Sequence, residues 1–131
     1  MTVPEKPSIL VADDDPDICA NVSDILCDLD YQVDTALNGP SALELVSRQP
    51  CDVALLDPRI PGMGGLLPQR EIKKSGGTVT LLATAFAGAH TAEQALTAGM
   101  WKTLAKAVDF PSLLHVVEQA IDQSLIRMAR G

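Results

Sequence analysis

Short runs of aliphatic residues recur along this chain, and several of them stop at a residue with chemistry to offer. Ser8-Ile9-Leu10-Val11-Ala12 stops at Asp13-Asp14-Asp15-Pro16, and Val53-Ala54-Leu55-Leu56 stops at Asp57. A run that is continuously apolar is the pattern of a strand covered on both faces. Residues 31–36, 79–83 and 100–105 supply three further candidate strands. Between the runs lie stretches of helical period. Ile18, Val22, Ile25, Leu26 and Leu29 fall at offsets of 0, 4, 7, 8 and 11, which predicts one apolar helix face. Pro16 suits the first helical position and Asp15 the N-cap before it, where its carboxylate can accept an orphan backbone N–H.

The alternation continues to the end of the chain. Asn38-Gly39-Pro40 opens a second helix with Ala42, Leu45 and Val46 on its apolar side. Gly62, Gly64 and Gly65 mark a loop, and a short helix is expected over residues 67–74, starting late or distorted because Pro68 is tolerated only near a helix start. A weaker alanine-rich helix is expected over residues 91–98, and Phe110, Leu113, Leu114, Val117, Ile121 and Leu125 mark a long final one. Five strand–helix units of about 26 residues each imply an α/β fold with a parallel sheet, because parallel neighbours need crossover connections. Right-handed crossovers put helices on both faces, giving three layers. The 131 residues suit one domain, 1–131, with a core at about 8–126 and no effector domain.

Charge narrows the function. Seventeen acids against ten bases leave a formal charge of −7, which argues against the clustered Lys and Arg that direct nucleic-acid binding requires. Residues 1–60 hold twelve acids and three bases, net −9, while residues 61–131 are net +2. The acids interleave with apolar runs, so they belong to folded structure. Met1–Leu10 has no basic region leading into a long apolar stretch, so no secretory signal is expected, and the most apolar window, residues 79–89, falls far short of the roughly 20 residues that span a membrane. Cys19, Cys27 and Cys51 have neither C-x-x-C nor zinc spacing and read as buried free thiols of a cytoplasmic protein. His90 and His115 have no metal-ligand spacing either.

In open parallel sheets, sites form beyond the carboxyl ends of the strands. The residues ending the five runs include Asp13 and Asp14, Asp57, Thr84 and Lys106. Two carboxylates about 5 Å apart repel by roughly 3 kcal/mol at an effective dielectric near 20. Three of them call for a counter-charge, and Mg2+ is a natural one, being a hard cation that binds through one or two carboxylates plus water and phosphate oxygens. Asp57 could then attack phosphorus to form an acyl phosphate, with Lys106 and the Thr84 hydroxyl neutralising the phosphoryl oxygens.

Taken in order, these pieces resemble the response regulator receiver domain of two-component signalling, over about residues 8–126. The matching residues are Ile9-Leu10-Val11-Ala12-Asp13-Asp14, Leu55-Leu56-Asp57-Pro58-Arg59-Ile60-Pro61-Gly62-Met63, Ala83-Thr84-Ala85, and Ala98-Gly99 followed by Lys106. The resemblance implies a flavodoxin-like doubly wound sheet of strand order 2-1-3-4-5. It implies that Asp57 accepts a phosphoryl group from a sensor histidine kinase or phosphotransfer protein. Asp14 and Asp57 would bind Mg2+ directly, the Arg59 backbone carbonyl would be a third protein ligand, and Asp13 would act largely through water. Thr84 would swing toward the phosphoryl group and reshape the face made by the fourth helix, fifth strand and fifth helix, where an output protein or a second copy in a homodimer docks.

Departures from the family pattern sit close to these positions. Lys106 is followed by Ala107 in place of proline. A cis bond before a non-proline residue costs about 2.5–4 kcal/mol, so a trans bond and a differently placed Lys106 are expected. Thr103 stands where the family has its switch aromatic, and Trp101, two residues earlier on the same strand face, is a candidate substitute. Pro58 removes one N–H beside the acceptor. Two other functions stay open: a degenerate receiver acting as a constitutive interaction module, and a phosphatase with an aspartyl nucleophile. The phosphatase signature wants an Asp two residues after the nucleophile, and Arg59 occupies that place. The expected protein is a binding module that assists its own phosphorylation, not an enzyme acting on a metabolite.

Overall fold

The computed structural model describes residues 7–49, 51–57, 78–84, 101–105 and 110–130. Within them, strands β1 (Ser8–Ala12), β2 (Gln32–Ala36), β3 (Val53–Leu56), β4 (Val79–Thr84) and β5 (Lys102–Ala105) form one sheet in the order β2-β1-β3-β4-β5. All four pairings are parallel. This is the order and class expected. Among the described residues the helices are α1 (Pro16–Asp28), α2 (Gly39–Arg48) and α3 (Phe110–Arg130). The helices expected over residues 67–74 and 91–98 lie outside the described residues.

The period of two along the strands sorts the core into two layers. Leu10, Ala12, Ala54 and Leu56 pack with Ala42 and Val46 of α2 on one side of the sheet. Ile9, Val11, Val53, Leu55, Val79 and Leu81 pack on the other side with Cys19, Val22 and Leu26 of α1 and Leu113, Val117 and Ala120 of α3. Each fully buried aliphatic side chain contributes about 1.5–3 kcal/mol on leaving water. Ile9, Leu10, Val11, Val53 and Leu56 all belong to this class, so β1 and β3 form the centre of the molecule.

Local signals set the helix ends. Asp15 caps α1 through its side chain, which accepts from the Asp17 N–H at 2.9 Å, and Asn38 caps α2 by accepting from Ser41 N–H at 2.8 Å. At the other end of α1, Asp30 takes φ 68°, the left-handed conformation. Its N–H donates to Cys27 O, and the Tyr31 N–H donates to Leu26 O, each at 3.1 Å. That pair of bonds is the Schellman arrangement that closes a helix, with Asp30 where glycine is commonest.

Several expectations shift by a few residues. The buried stripe of α1 is Cys19, Val22 and Leu26, while Leu29 is the C-cap and is 47% exposed. Cys19 and Cys51 are buried but Cys27 is exposed, so only two thiols are core groups. On α3 the buried stripe is Leu113, Val117, Ala120 and Ser124, and Leu125 is 59% exposed. Leu29 lies just past the last residue of α1, where its neighbours no longer cover it, whereas Leu125 lies within α3 and turns outward between the buried Ser124 and the exposed Ile126. Strand β5 begins at Lys102, leaving Trp101 ahead of it, and β4 runs through Thr84.

Candidate functional site

The acidic cluster is built by continuing the sheet one residue past two of its strands. Asp13 N–H donates to Ala36 O and Asp57 N–H donates to Ala12 O, each at 3.0 Å. These bonds extend the β1–β2 and β1–β3 ladders and set Asp13 and Asp57 side by side at the carboxyl edge. The chain then turns into α1, which brings Asp14 round to the same place. Carboxylate oxygens of Asp13, Asp14 and Asp57 lie within 4.8 Å of one another. Asp13 and Asp57 are buried and Asp14 is exposed, so the cluster has two walls of protein and one side open to water.

Hydrogen bonds sort the three consecutive acids into different tasks. Asp13 Oδ1 accepts from Asp15 N–H at 3.0 Å, which fixes its carboxyl group. Asp15 turns its own carboxylate to the helix N-terminus and is a cap, as expected. Behind the loop, the Cys19 thiol lies 3.5 Å from the Asp13 carbonyl oxygen and 3.9 Å from that of Ala36. In sequence Cys19 reads only as a buried free thiol, and its place in the first turn of α1, six residues after Asp13, is the one local signal of this contact.

Packing like charges this closely costs free energy, roughly 3 kcal/mol for the buried pair Asp13 and Asp57 at an effective dielectric near 20 and much less for the exposed, water-screened Asp14. A divalent cation with a preference for hard oxygen ligands offsets it. The donor set fits Mg2+: Asp13, Asp14 and Asp57 would offer it carboxylate oxygens, and the open side at Asp14 would leave room for water and phosphate oxygens.

The register carries the rest of the edge. Leu56 pairs with Leu82, so Thr84 ends β4 one residue beyond the level of Asp57. Thr84 pairs in turn with Ala105, the last residue of β5. Lys106, Arg59, Pro58 and Ala107 lie outside the described residues.

Trp101 is placed away from this edge. Its N–H donates to Thr80 O at 2.8 Å, and it precedes β5, four residues before Ala105 and so about 13 Å from the carboxyl end at 3.3 Å per residue. The half-buried ring packs against the layer formed with α1 and α3, and Lys102 Nζ stands 5.1 Å from its centroid. A switch aromatic beside Thr84 is therefore not what Trp101 supplies.

Among the described residues, no helix is long and apolar enough to cross a membrane. A family model, the response regulator receiver domain, matches residues 9–118. The transcriptional regulatory protein ZraR of Salmonella typhimurium is 36% identical over 117 residues, covering 88% of this chain and 26% of that protein. The response regulator protein PilR of Pseudomonas aeruginosa is 35% identical over 117 residues, again 88% of this chain and 26% of the other. The chain thus spans about a quarter of the length of these curated relatives. A receiver domain protein described as CheY-like, from Methanospirillum hungatei, is 25% identical and superposes with a TM-score of 0.85 over 91% of this chain and 96% of that one.

Proposed function

The chain belongs to the response regulator receiver domain family, and from that membership we propose that it carries a phosphoryl signal on Asp57. The phosphoryl donor is a phosphohistidine on a sensor histidine kinase or phosphotransfer protein. An Asp57 carboxylate oxygen bonds to phosphorus as the P–N bond to the donor imidazole breaks, and the departing imidazole takes up a proton. The product is an acyl phosphate. One observation carries this reading: the carboxylates of Asp13, Asp14 and Asp57 gather within 4.8 Å at the carboxyl edge of the sheet.

Asp14 and Asp57 would hold Mg2+ directly, Asp13 would act largely through water, and the Arg59 backbone carbonyl is the further ligand that the family pattern supplies. When bound, the ion supplies positive charge for the phosphoryl oxygens. The chain's own residues do the rest. Asp13, locked by the Asp15 N–H, keeps the acidic loop in place, and the β3 ladder aims Asp57. Thr84 and Lys106 would hydrogen-bond and neutralise the transferred group.

The domain signals by binding, and it turns over no metabolite. Residues 8–126 form the receiver unit, and its output passes to a protein partner, not to nucleic acid directly. A homodimer through the fourth helix, fifth strand and fifth helix of the family fold is a further mode of output. Three free cysteines fit work in the reducing cytoplasm. The test is labelling by a small phosphodonor. Asp57 is expected to be labelled only with Mg2+ present, and Asp57→Asn to abolish it; a wild-type protein that stays unlabelled would support the degenerate receiver instead.

A further inference from the structure

Among the described residues, both backbone groups of Asp13 are bonded, and one of the bonds comes from a side chain that the phosphoryl chemistry does not use. The Asp13 N–H is taken by Ala36 O at 3.0 Å. The Asp13 carbonyl is met by the Cys19 thiol at 3.5 Å, and the same sulfur lies 3.9 Å from Ala36 O. Cys19 also donates its own N–H to Asp15 O at 3.2 Å. A single residue in the first turn of α1 therefore meets the carbonyls at both ends of Asp13–Asp14–Asp15 and at the end of β2, its backbone N–H on Asp15 and its one S–H shared between Asp13, the nearer, and Ala36. It is buried, at 3% exposure, beneath a cluster that opens to water at Asp14.

Resting on the reading of the acidic cluster as the metal and phosphoryl site, we propose that Cys19 is a positioning residue for it. The thiol holds the main chain of Asp13 from below, so that the Asp13 and Asp14 carboxylates stay aimed at the ion while like charges push them apart. Polar groups that orient the ligands of a metal from outside tune its affinity as the ligands themselves do. A sulfur suits the task, because S–H is a weak donor that spans a longer reach than a hydroxyl and needs no water when buried. An apolar side chain would fill the same volume without restraining either carbonyl.

Three variants separate the hydrogen bonds from the packing. Cys19→Val fills the volume and lacks the donor, Cys19→Ala lacks both, and Cys19→Ser keeps a donor. Amide hydrogen exchange of the metal-free protein is read at Asp13 and Asp15, and Mg2+ affinity is read from amide shifts in the same samples. Exchange at these two amides should rise in Cys19→Val and Cys19→Ala while the amides of β3 stay protected, and Cys19→Ser should restore part of the protection. Mg2+ affinity should fall by roughly tenfold in the valine and alanine variants, the lower end of what losing an outer partner of a metal ligand costs. Unchanged exchange and affinity in Cys19→Val would overturn the proposal, as would a loss of protection spread evenly over the whole sheet. If the wild type bound no Mg2+ yet Cys19→Val still loosened only Asp13 and Asp15, the failure would lie with the metal reading and the loop restraint would stand.

Discussion

Asp57 N–H donates to Ala12 O at 3.0 Å, so the residue proposed to accept the phosphoryl group is held by the residue immediately before the acidic pair. The bond adds one rung to the β1–β3 ladder. It makes the distance between the two halves of the site a property of the sheet, not of a loop.

Removing one charge from the cluster should separate metal binding from folding. Asp14→Asn sits at the exposed position, so the new amide is not buried. Metal-free protein should gain roughly a few tenths of a kcal/mol from relieved repulsion. The wild type should gain about 2.7 kcal/mol at a Mg2+ concentration a hundredfold above Kd, and the variant should gain almost none. Thermal melts with and without Mg2+ check both statements.

The three thiols should react in two classes. Burial pushes the Cys51 thiol up to about 12, and Cys27 is exposed. A thiol reagent at pH 8 should modify one cysteine per folded chain quickly and the other two only after denaturant is added. The sign of the pH effect follows from linkage. The unfolded thiol ionises near 9 and the folded one near 12, so the unfolded state releases its proton first as pH rises. Stability from this group is complete below about pH 9 and is lost between there and about pH 12. Urea midpoints of the wild type and of Cys51→Ala across that range should converge as pH rises.

Ser124 lies on the buried stripe of α3 at 1% exposure, and among the described residues its Oγ has no hydrogen-bond partner. A buried hydroxyl without a partner costs about 1–3 kcal/mol of desolvation, while the Ala that replaces it loses only a small volume. Ser124→Ala should therefore raise the unfolding free energy by up to about 1 kcal/mol, seen as a higher urea midpoint with no change in slope.

The turn out of α1 should prefer glycine. Asp30 sits at φ 68° in the Schellman closure. Left-handed backbone costs an L-residue about 1–2 kcal/mol, and Asp is among the few types that tolerate it. Asp30→Ala should be less stable than Asp30→Gly by about 1 kcal/mol in urea unfolding.

What was legible in the sequence was whatever depends on near neighbours. Aliphatic runs marked β1 and β3 to the residue because a strand covered on both faces has no polar positions to blur it. Asp15 was legible as a cap, and Asn38-Gly39-Pro40 as the opening of α2, because helix starts are settled within three residues. Weak patterns blurred most at strand ends, as at Trp101, which an apolar count joins to β5 and the pairing leaves outside it.

Local pattern was enough to give the order of the described elements, the parallel class of the sheet and the acids and hydroxyl at the ends of β1, β3 and β4. These follow from periodicity and from the crossovers that parallel neighbours require. Tertiary structure alone decided which carboxylates meet, that Asp13 is buried while Asp14 faces water, that Cys19 lies behind Asp13 and that Cys27 is exposed. The physical reason is that the rotation of α1 about its axis, and the level at which β1 and β3 pair, are set by packing between residues far apart in the chain. No local pattern encodes either one.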